Sequence, residues 1–350
     1  MKSVLIASLL LGLGGLTACS SDDSKGDYES QVTTGMQQTV LADIKALHKA
    51  ALDLQAAAPL PTGRGWSATQ DMAAIDAMTS AWLRARAAYE RTEGAIAPLF
   101  PEIDGAIDAR YDDFLEHLKG AGDSDLFDDQ GVTGMHAIER ILFANQIPSN
   151  VVALEESLPG YAPAAWPATA EEAAEFKEKL AGQLVKDIAR LESGWKPANI
   201  DLPGAFSGLI ALMNEQREKV NKAASDEEES RYAQRTMADI RDNLAGTRAI
   251  YRLFSPWVQS KDGGAVLDAE VEAAFDQLAE VYATVDGDAF PAPPATWVAE
   301  GTPTEEELAT PFGKLFTTVQ KAVDPNVPGS AVEAMNRVAK LLAFDEPPTE

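Results

Sequence analysis

Cysteine is nearly absent from this chain of 350 residues: Cys19 is the only one, so no disulfide can form within it. Histidine is also scarce, with three residues. No stretch shows the sustained alternation between hairpin turns that is typical of β-strands. The apolar run Val4–Leu16 is too short to span a bilayer as a stable helix. Stability must therefore come from a packed, helical core.

Basic residues are few relative to acidic ones: 29 Lys and Arg stand against 55 Asp and Glu, for a net charge of −26. Such a surface repels nucleic acid and anionic lipid headgroups, and it raises the local concentration of cations. We therefore expect no nucleic-acid partner. Because the acidic residues are spread along the chain, solubility explains the charge better than the steering of cations does.

The N-terminal segment is typical of an exported bacterial lipoprotein. An apolar run ends in Leu16-Thr17-Ala18-Cys19, which reads as a lipobox. We predict a signal peptide over residues 1–18, lipidation of Cys19, and a flexible tether over 19–28. The two serines after Cys19 replace the aspartate that favours inner-membrane retention. The expected location is therefore the outer membrane, facing the periplasm or the cell surface; the alternative is a buried or free cysteine.

Apolar residues recur at helical spacing through most of the remaining chain. We predict an all-α fold of two packed four-helix-bundle-like halves, residues 29–145 and 170–350, with a proline-rich linker over 146–169. Arg86–Arg91 faintly resembles Arg248–Arg252, which suggests that the halves are duplicated. The predicted helices cover about 29–57, 67–97, 103–119, 134–143, 170–193, 205–222, 227–254, 265–285, 304–322 and 330–344.

The stretch Gly134–Phe143 is the strongest candidate for a functional helix. Thr133 can cap its first turn. His136 and Glu139 stand three residues apart, so both side chains lie on one face, while Ile138 can bury on another. The positive helix end disfavours imidazolium, so we expect the neutral ring that a metal needs.

Paired carboxylates on other helices extend this candidate site. Glu90 and Glu93 repeat the spacing of His136 and Glu139, and Asp108 follows Asp104 by one turn. Helical bundles build carboxylate-rich metal sites from such pairs, and one imidazole with several carboxylates suits iron or another first-row ion.

Each group also has a purely structural interpretation. His136 can simply be hydrogen-bonded to Glu139, the Glu90 pair can form an exposed acidic edge, and Asp108 can form a salt bridge with Arg110.

Three motifs in series resemble the imelysin family, also called the M75 peptidase family, which includes the M75 domains of EfeO-type iron-uptake proteins. The first is G-x-H-x-x-E, at Gly134-Met135-His136-Ala137-Ile138-Glu139. The second is Y-E-R-x-E at Tyr89–Glu93, followed by D-x-x-I-D-A-R at Asp104–Arg110. The third is R-Y at Arg231-Tyr232, which leads into a helix carrying Asp239, Asn243 and Gly246.

The resemblance implies an extracytoplasmic lipoprotein that binds a divalent or ferric ion, with iron favoured and zinc possible, and passes it to an iron transporter. It also implies two groups of site residues. The metal ligands would be His136, Glu139, Glu90, Glu93 and Asp108, and the supporting residues would be Arg110, Tyr232 and Asp239.

Two alternatives belong to other functional classes. A metallopeptidase of the M75 type would use Glu139 in catalysis. However, the sequence lacks His-Glu-x-x-His, and the inverted His-x-x-Glu-His fails at Arg140. A surface receptor for polysaccharide or peptide would use a cleft between the two halves, and its binding would be indifferent to chelator.

Overall fold

The computed structural model describes residues 21–111, 123, 125–196, 199–299 and 301–344, and it describes side chains from residue 26 onward. The predicted signal peptide and the predicted lipid anchor at Cys19 lie outside these residues.

All regular structure in the described ranges is helical, which confirms the predicted all-α fold. A single π-helical turn, Phe176–Leu180, joins α7 to α8. The α-helices, in chain order, are α1 (Ser21–Ala57), α2 (Met72–Glu90), α3 (Glu93–Leu99), α4 (Pro101–Asp108), α5 (Gly134–Leu142), α6 (Ser149–Glu156), α7 (Ala170–Glu175), α8 (Ala181–Trp195), α9 (Leu202–Lys222), α10 (Thr236–Gln259), α11 (Gly264–Ala283), α12 (Glu305–Leu308), α13 (Pro311–Ala322) and α14 (Ala331–Leu341).

The helices pack in two groups that share one continuous apolar core. Helix α1 packs against α2 and α8, and α8 also packs against α4 and α5. In the second group α9, α10, α11, α13 and α14 pack on one another. Contacts of α10 with α1 and α2, and of α3 with α9, join the groups. The apolar stripes follow the helical period, as in α1, whose buried residues include Val32, Met36, Val40, Ile44, Leu47, Ala51 and Leu54.

The grouping differs from the predicted one at two places. Helix α8, assigned from sequence to the second half, packs with the first group because Leu184, Ile188 and Leu191 form its buried stripe. Residues 21–28, expected to be a flexible tether, form the first turns of α1 instead. Tyr28 packs against the core, which favours the helical conformation there.

Several segments depart from the predicted helix pattern, and three of them shape the site. The predicted helix 67–97 breaks after Glu90, and the predicted helix 103–119 is interrupted at Ala109 and Arg110. Residues 112–119 of that prediction lie outside the described residues. Residues 227–235, predicted as the start of a helix, form a largely buried loop before α10. The predicted linker 146–169 contains helix α6.

Candidate metal centre

Gly134 determines where α5 begins. Its φ is +88°, and a Cβ at this position would lie 2.6 Å from the carbonyl oxygen of Ile107 and 2.8 Å from that of Ala106. Only glycine adopts this conformation at such a close approach without strain. The N-terminus of α5 therefore packs against the backbone at the end of α4, which brings His136 beside Asp108.

His136 is held by Glu139 on one side of its ring. The ring is 1% exposed, and its Nδ1 lies 2.8 Å from Glu139 Oε2. The other oxygen of Glu139, Oε1, accepts hydrogen bonds from the backbone N–H groups of Tyr232 (3.0 Å) and Ala233 (2.8 Å). Glu139 is thereby fixed by three donors, and it orients the imidazole so that Nε2 points into the centre.

His136 Nε2 has no well-formed hydrogen bond to any described residue, although it lies 3.2 Å from Asp108 Oδ1. Burial lowers the pKa of His136, but the charge of the nearby Asp108 carboxylate and the hydrogen bond to Glu139 outweigh it, so the net shift is upward. The Asp108 carboxylate therefore acts against the expected effect of the helix end, which favours the neutral ring.

Two groups of ligand atoms meet in this centre. The first, which we call the histidine site, consists of Asp108, His136 and Glu229, with one ligand atom from each residue within 4.8 Å of the others. The second, the glutamate cage, consists of Glu90, Glu93 and Glu229 under the same distance limit. Because Glu229 belongs to both groups, the two are directly adjacent.

The glutamate cage owes its shape to the break between α2 and α3. The turn at Arg91 and Thr92 lies against Gly246 of α10, where a Cβ would fall 2.1 Å from the carbonyl oxygen of Arg91. This close approach brings Asn243, one turn earlier in α10, to the cage. Its Nδ2 donates to Glu90 Oε2 (2.6 Å) and Glu93 Oε2 (2.8 Å).

A buried arginine connects the two groups. Arg86 is 0% exposed, and its Nη1 pairs with Asp108. Its Nη2 pairs with Glu90 and, at 2.7 Å, with Glu229. Lys219 approaches from α9, and its Nζ lies 2.7 Å from Glu229 Oε2.

The charges of the centre are unequal. The histidine site and the glutamate cage contain four carboxylates. Two buried cations, Arg86 and Lys219, contact them, and Arg110 lies at the edge, 4.0 Å from Glu229. Burial raises the pKa of Glu90 well above its ordinary value and also raises that of Glu93. Burial opposes ionisation of Asp108 as well, but Arg86 and His136 hold its pKa down at about 2. The centre therefore favours an additional positive charge.

The predicted supporting residues lie in or beside the centre. Arg110 Nη2 is 4.0 Å from Glu229 Oε1. Tyr232 donates its backbone N–H to Glu139, and its hydroxyl donates to Glu155. Asp239 pairs with Arg235 and lies 3.6 Å from Nε of Arg86.

Glu229, the residue shared by the two groups, is not among the residues that the sequence motifs predict. It ends the run Glu227-Glu228-Glu229, which a helical interpretation places on a solvated face. In the structure the loop 227–235 is largely buried, and Glu229 is 3% exposed. The available signal was its position directly before Ser230-Arg231-Tyr232, a motif already assigned to the site.

Some side chains of the centre reach solvent. The side chains of Glu93, Asp108 and Arg110 are 12%, 17% and 19% exposed, whereas those of Arg86 and Glu229 are at most 2% exposed. Among the described residues of the centre, an ion would therefore first meet Glu93 and Asp108.

The fold and this centre define the class: an all-helical bundle protein with a buried cluster of carboxylates around one histidine. The chain belongs to the imelysin family (peptidase M75), whose model matches residues 37–322. The resemblance inferred from the three motifs is thereby confirmed.

Two relatives within this family are similar to the chain in sequence. The chain is 28% identical over 291 residues to an Efem/EfeO family lipoprotein of Staphylococcus haemolyticus, covering 82% of this chain and 86% of that protein. It is 29% identical over 207 residues to the iron uptake system component EfeO of Escherichia coli O1:K1, covering 57% of this chain and 43% of EfeO. The match thus spans less than half the length of EfeO.

A solved structure supports the fold. An imelysin-like protein of Psychrobacter arcticum 273-4 superimposes with a TM-score of 0.53 at 12% identity, over 93% of this chain and 98% of that one. In the part of the chain that the structure describes, none of the helices has the length and apolar character needed to cross a membrane.

Proposed function

We propose that this protein is an extracytoplasmic, lipid-anchored metal-binding protein that takes part in iron uptake. The metal ion, with iron favoured, binds at the histidine site through Asp108, His136 and Glu229. Glu139 acts as the residue that orients His136, because its two oxygens are already taken by the imidazole and by two backbone N–H groups.

One observation carries the proposal: a fully buried imidazole nitrogen without a well-formed hydrogen bond faces two carboxylates. Folded proteins rarely bury a polar atom without a hydrogen-bond partner, because the lost hydrogen bond to water costs free energy. A histidine ligand normally binds through one nitrogen and donates the other N–H to a carboxylate, which is the arrangement of His136 and Glu139. Mixed nitrogen and oxygen donors suit first-row ions such as iron, manganese and zinc.

The relatives supply the biological context. EfeO is named as a component of an iron uptake system, and the staphylococcal relative is named as a lipoprotein. By analogy, Cys19 carries a lipid anchor, and the bound ion is cargo that passes to an iron transporter. The outer membrane is the location that the two serines after Cys19 favour. The acidic surface assists capture, since the net charge of −26 raises the concentration of cations near the protein.

The hydrogen bonds of Glu139 favour metal binding over peptide hydrolysis as the function. A metallopeptidase of the M75 type would need Glu139 as a general base with a free oxygen beside a metal-bound water. Glu139 is 0% exposed, and three hydrogen bonds engage its carboxylate. A zinc peptidase also usually takes two histidines, whereas the histidine site has one.

The experiment is calorimetric titration of metal-free protein with Fe²⁺ in oxygen-free buffer, and with Mn²⁺ as a redox-stable probe. We expect one ion per wild-type chain. We expect His136→Ala to weaken binding by about 100-fold or more, and Glu139→Gln by roughly 10- to 100-fold through lost orientation of the ring. Identical titrations of wild type and His136→Ala would overturn the proposal.

The matched control is His48→Ala. His48 also pairs with a carboxylate, Glu192, at 2.7 Å, but this pair lies outside the centre. We expect His48→Ala to bind as the wild type does.

A further inference from the structure

Lys219 places its ammonium group inside the glutamate cage. Nζ lies 2.7 Å from Glu229 Oε2, 3.4 Å from Glu93 Oε2 and 3.9 Å from Glu90 Oε2. The residue is 5% exposed. Three carboxylates around one cation are the surroundings that a hard divalent ion prefers, yet the cation here is part of the protein.

Asn243 holds two carboxylates of the cage in place. Its Nδ2 donates to Glu90 and Glu93, and its Oδ1 accepts from Gln216 Nε2 at 3.3 Å and from Lys219 Nζ at 3.1 Å. Gln216 in turn accepts a hydrogen bond from the hydroxyl of Tyr282 at 2.9 Å. When the ammonium leaves, Gln216 remains as a donor to Asn243, so this part of the network still orients the amide that holds Glu90 and Glu93.

Two oxygens of the cage also lack well-formed hydrogen bonds to any described residue. They are Glu90 Oε1 and Glu229 Oε2, which are buried and engaged in ion pairs only. Cations neutralise these oxygens without satisfying their directional preference. A metal ion has no such directional requirement and accepts oxygen ligands from several directions.

We propose that Glu90, Glu93 and Glu229 form a second cation site, which the ammonium group of Lys219 fills in the metal-free protein. Lys219 is an internal competitor: it keeps a divalent ion out of the glutamate cage and limits the chain to one ion, at the histidine site. This inference extends the proposed function and rests on it. Glu229 is a ligand in both sites, and the ammonium of Lys219 pairs with it.

The flexibility of lysine makes this competition reversible. Its four-carbon side chain carries a compact charge that can change partners. Glu215 lies one turn earlier on the same helix and is exposed, so it offers the ammonium an alternative partner when an ion enters the cage. Arg86, which is fixed by several carboxylates, cannot move in this way.

The test is to count bound Mn²⁺ by electron paramagnetic resonance of the free ion. We expect wild type to bind one ion and Lys219→Met to bind two. The double variant Lys219→Met/His136→Ala should bind one, in the cage alone. The control is Lys222→Met on the same helix, whose exposed ion pair with Glu218 lies outside the centre; we expect it to bind one ion.

The outcomes separate this inference from the proposed function. If wild type and Lys219→Met each bind one ion with equal affinity, the inference is overturned while the proposed function stands. If wild type binds none and Lys219→Met binds one, the cage is supported and the histidine site is rejected. If neither binds, both fail.

Stability provides a second measurement if Lys219→Met unfolds easily. Removing the ammonium leaves three carboxylates close together, so we expect a lower melting temperature without divalent ions. Mn²⁺ should restore it, and the milder Lys219→Gln variant should behave in the same direction. Restoration by NaCl at equal ionic strength would contradict a specific site, because it would show general charge screening.

Discussion

The polar centre and the aromatic core of the second helix group are equally buried but opposite in chemistry. Around Phe254 of α10, aromatic rings pack edge to face, with centroids 5.0 Å from Phe206 and 6.2 Å from Phe344. The polar centre instead gathers four carboxylates, an imidazole and two cations. The aromatic core gains stability from burial, whereas the centre loses solvation that its ion pairs only partly replace. Binding of a metal ion, as proposed above, would offset this cost.

Arg86→Met should lower the stability of the polar centre more than any other substitution considered below. The substitution leaves Asp108, Glu90 and Glu229 without their shared buried cation, so we expect a loss of about 5 kcal/mol of unfolding free energy in metal-free buffer. Mn²⁺ should recover much of this loss, since a divalent ion supplies the missing charge. Urea unfolding with and without Mn²⁺ measures both effects.

The control for this variant is Arg84→Met on the same helix. Arg84 is half-exposed and pairs with Asp53 at 3.3 Å, so its loss should cost less than about 1 kcal/mol. Equal losses for the two variants would show that the centre is no more sensitive to charge than the surface is.

Phe254→Ala should come next. It opens a cavity in the aromatic core, and we expect a loss of about 4 kcal/mol. Mn²⁺ should stabilise this variant only as much as it stabilises wild type, because the cavity lies outside the centre. The same urea measurements apply. If Mn²⁺ recovered Phe254→Ala as fully as Arg86→Met, the two regions would not be independent.

Asp104→Asn should have the smallest effect on the unfolding free energy, and this effect should depend on pH. Burial raises the pKa of Asp104 to about 7, against the hydrogen bond from Tyr89 and with further help from Asp108. In the unfolded chain this carboxyl titrates near its ordinary value, so between about pH 4 and pH 7 the native state retains a proton that the unfolded state has lost. Wild-type stability therefore falls as pH rises through this window.

Asparagine does not titrate, so the substitution removes this dependence of the unfolding free energy on pH. We expect Asp104→Asn to exceed wild type by about 2 kcal/mol at pH 8 and to match it near pH 4, as measured by urea unfolding in metal-free buffer. This is about half of the roughly 4 kcal/mol to which the full shift corresponds, because solvent screens the partly exposed carboxyl. Asp76→Asn, at an exposed position of α2, is the control. A difference from wild type that is constant with pH would contradict the buried titration.

Much of the centre could be predicted because its residues recur in short motifs. His136, Glu139, Glu90, Glu93 and Asp108 all lie at or beside the centre, as predicted, and their roles as ligands remain predictions. Their division of labour was not accessible from spacing. The spacing of His136 and Glu139 is equally compatible with two ligands or with a ligand and the carboxylate that orients it; the backbone N–H groups that reach Glu139 from the loop 227–235 favour the second.

Breaks in helices were the main source of error. A helical pattern runs through Arg91 and Thr92, and nothing local stops it; the close approach of Gly246 does. Likewise, residues 227–235 have a composition that suits an exposed helix. Their loop conformation depends on burial of Glu229 beside Arg86 and Lys219, which are distant in sequence.

The sequence by itself determined the helical class, the family and the motif residues, because these depend on local periodicity and on short patterns of residue types. Only the tertiary structure brought Glu229 into the centre and the ammonium of Lys219 into the glutamate cage. Both depend on contacts between α2, α9 and the loop 227–235. These contacts are decided by the balance between the desolvation of charged groups and their pairing with residues distant in sequence, which produces no periodic pattern in the sequence.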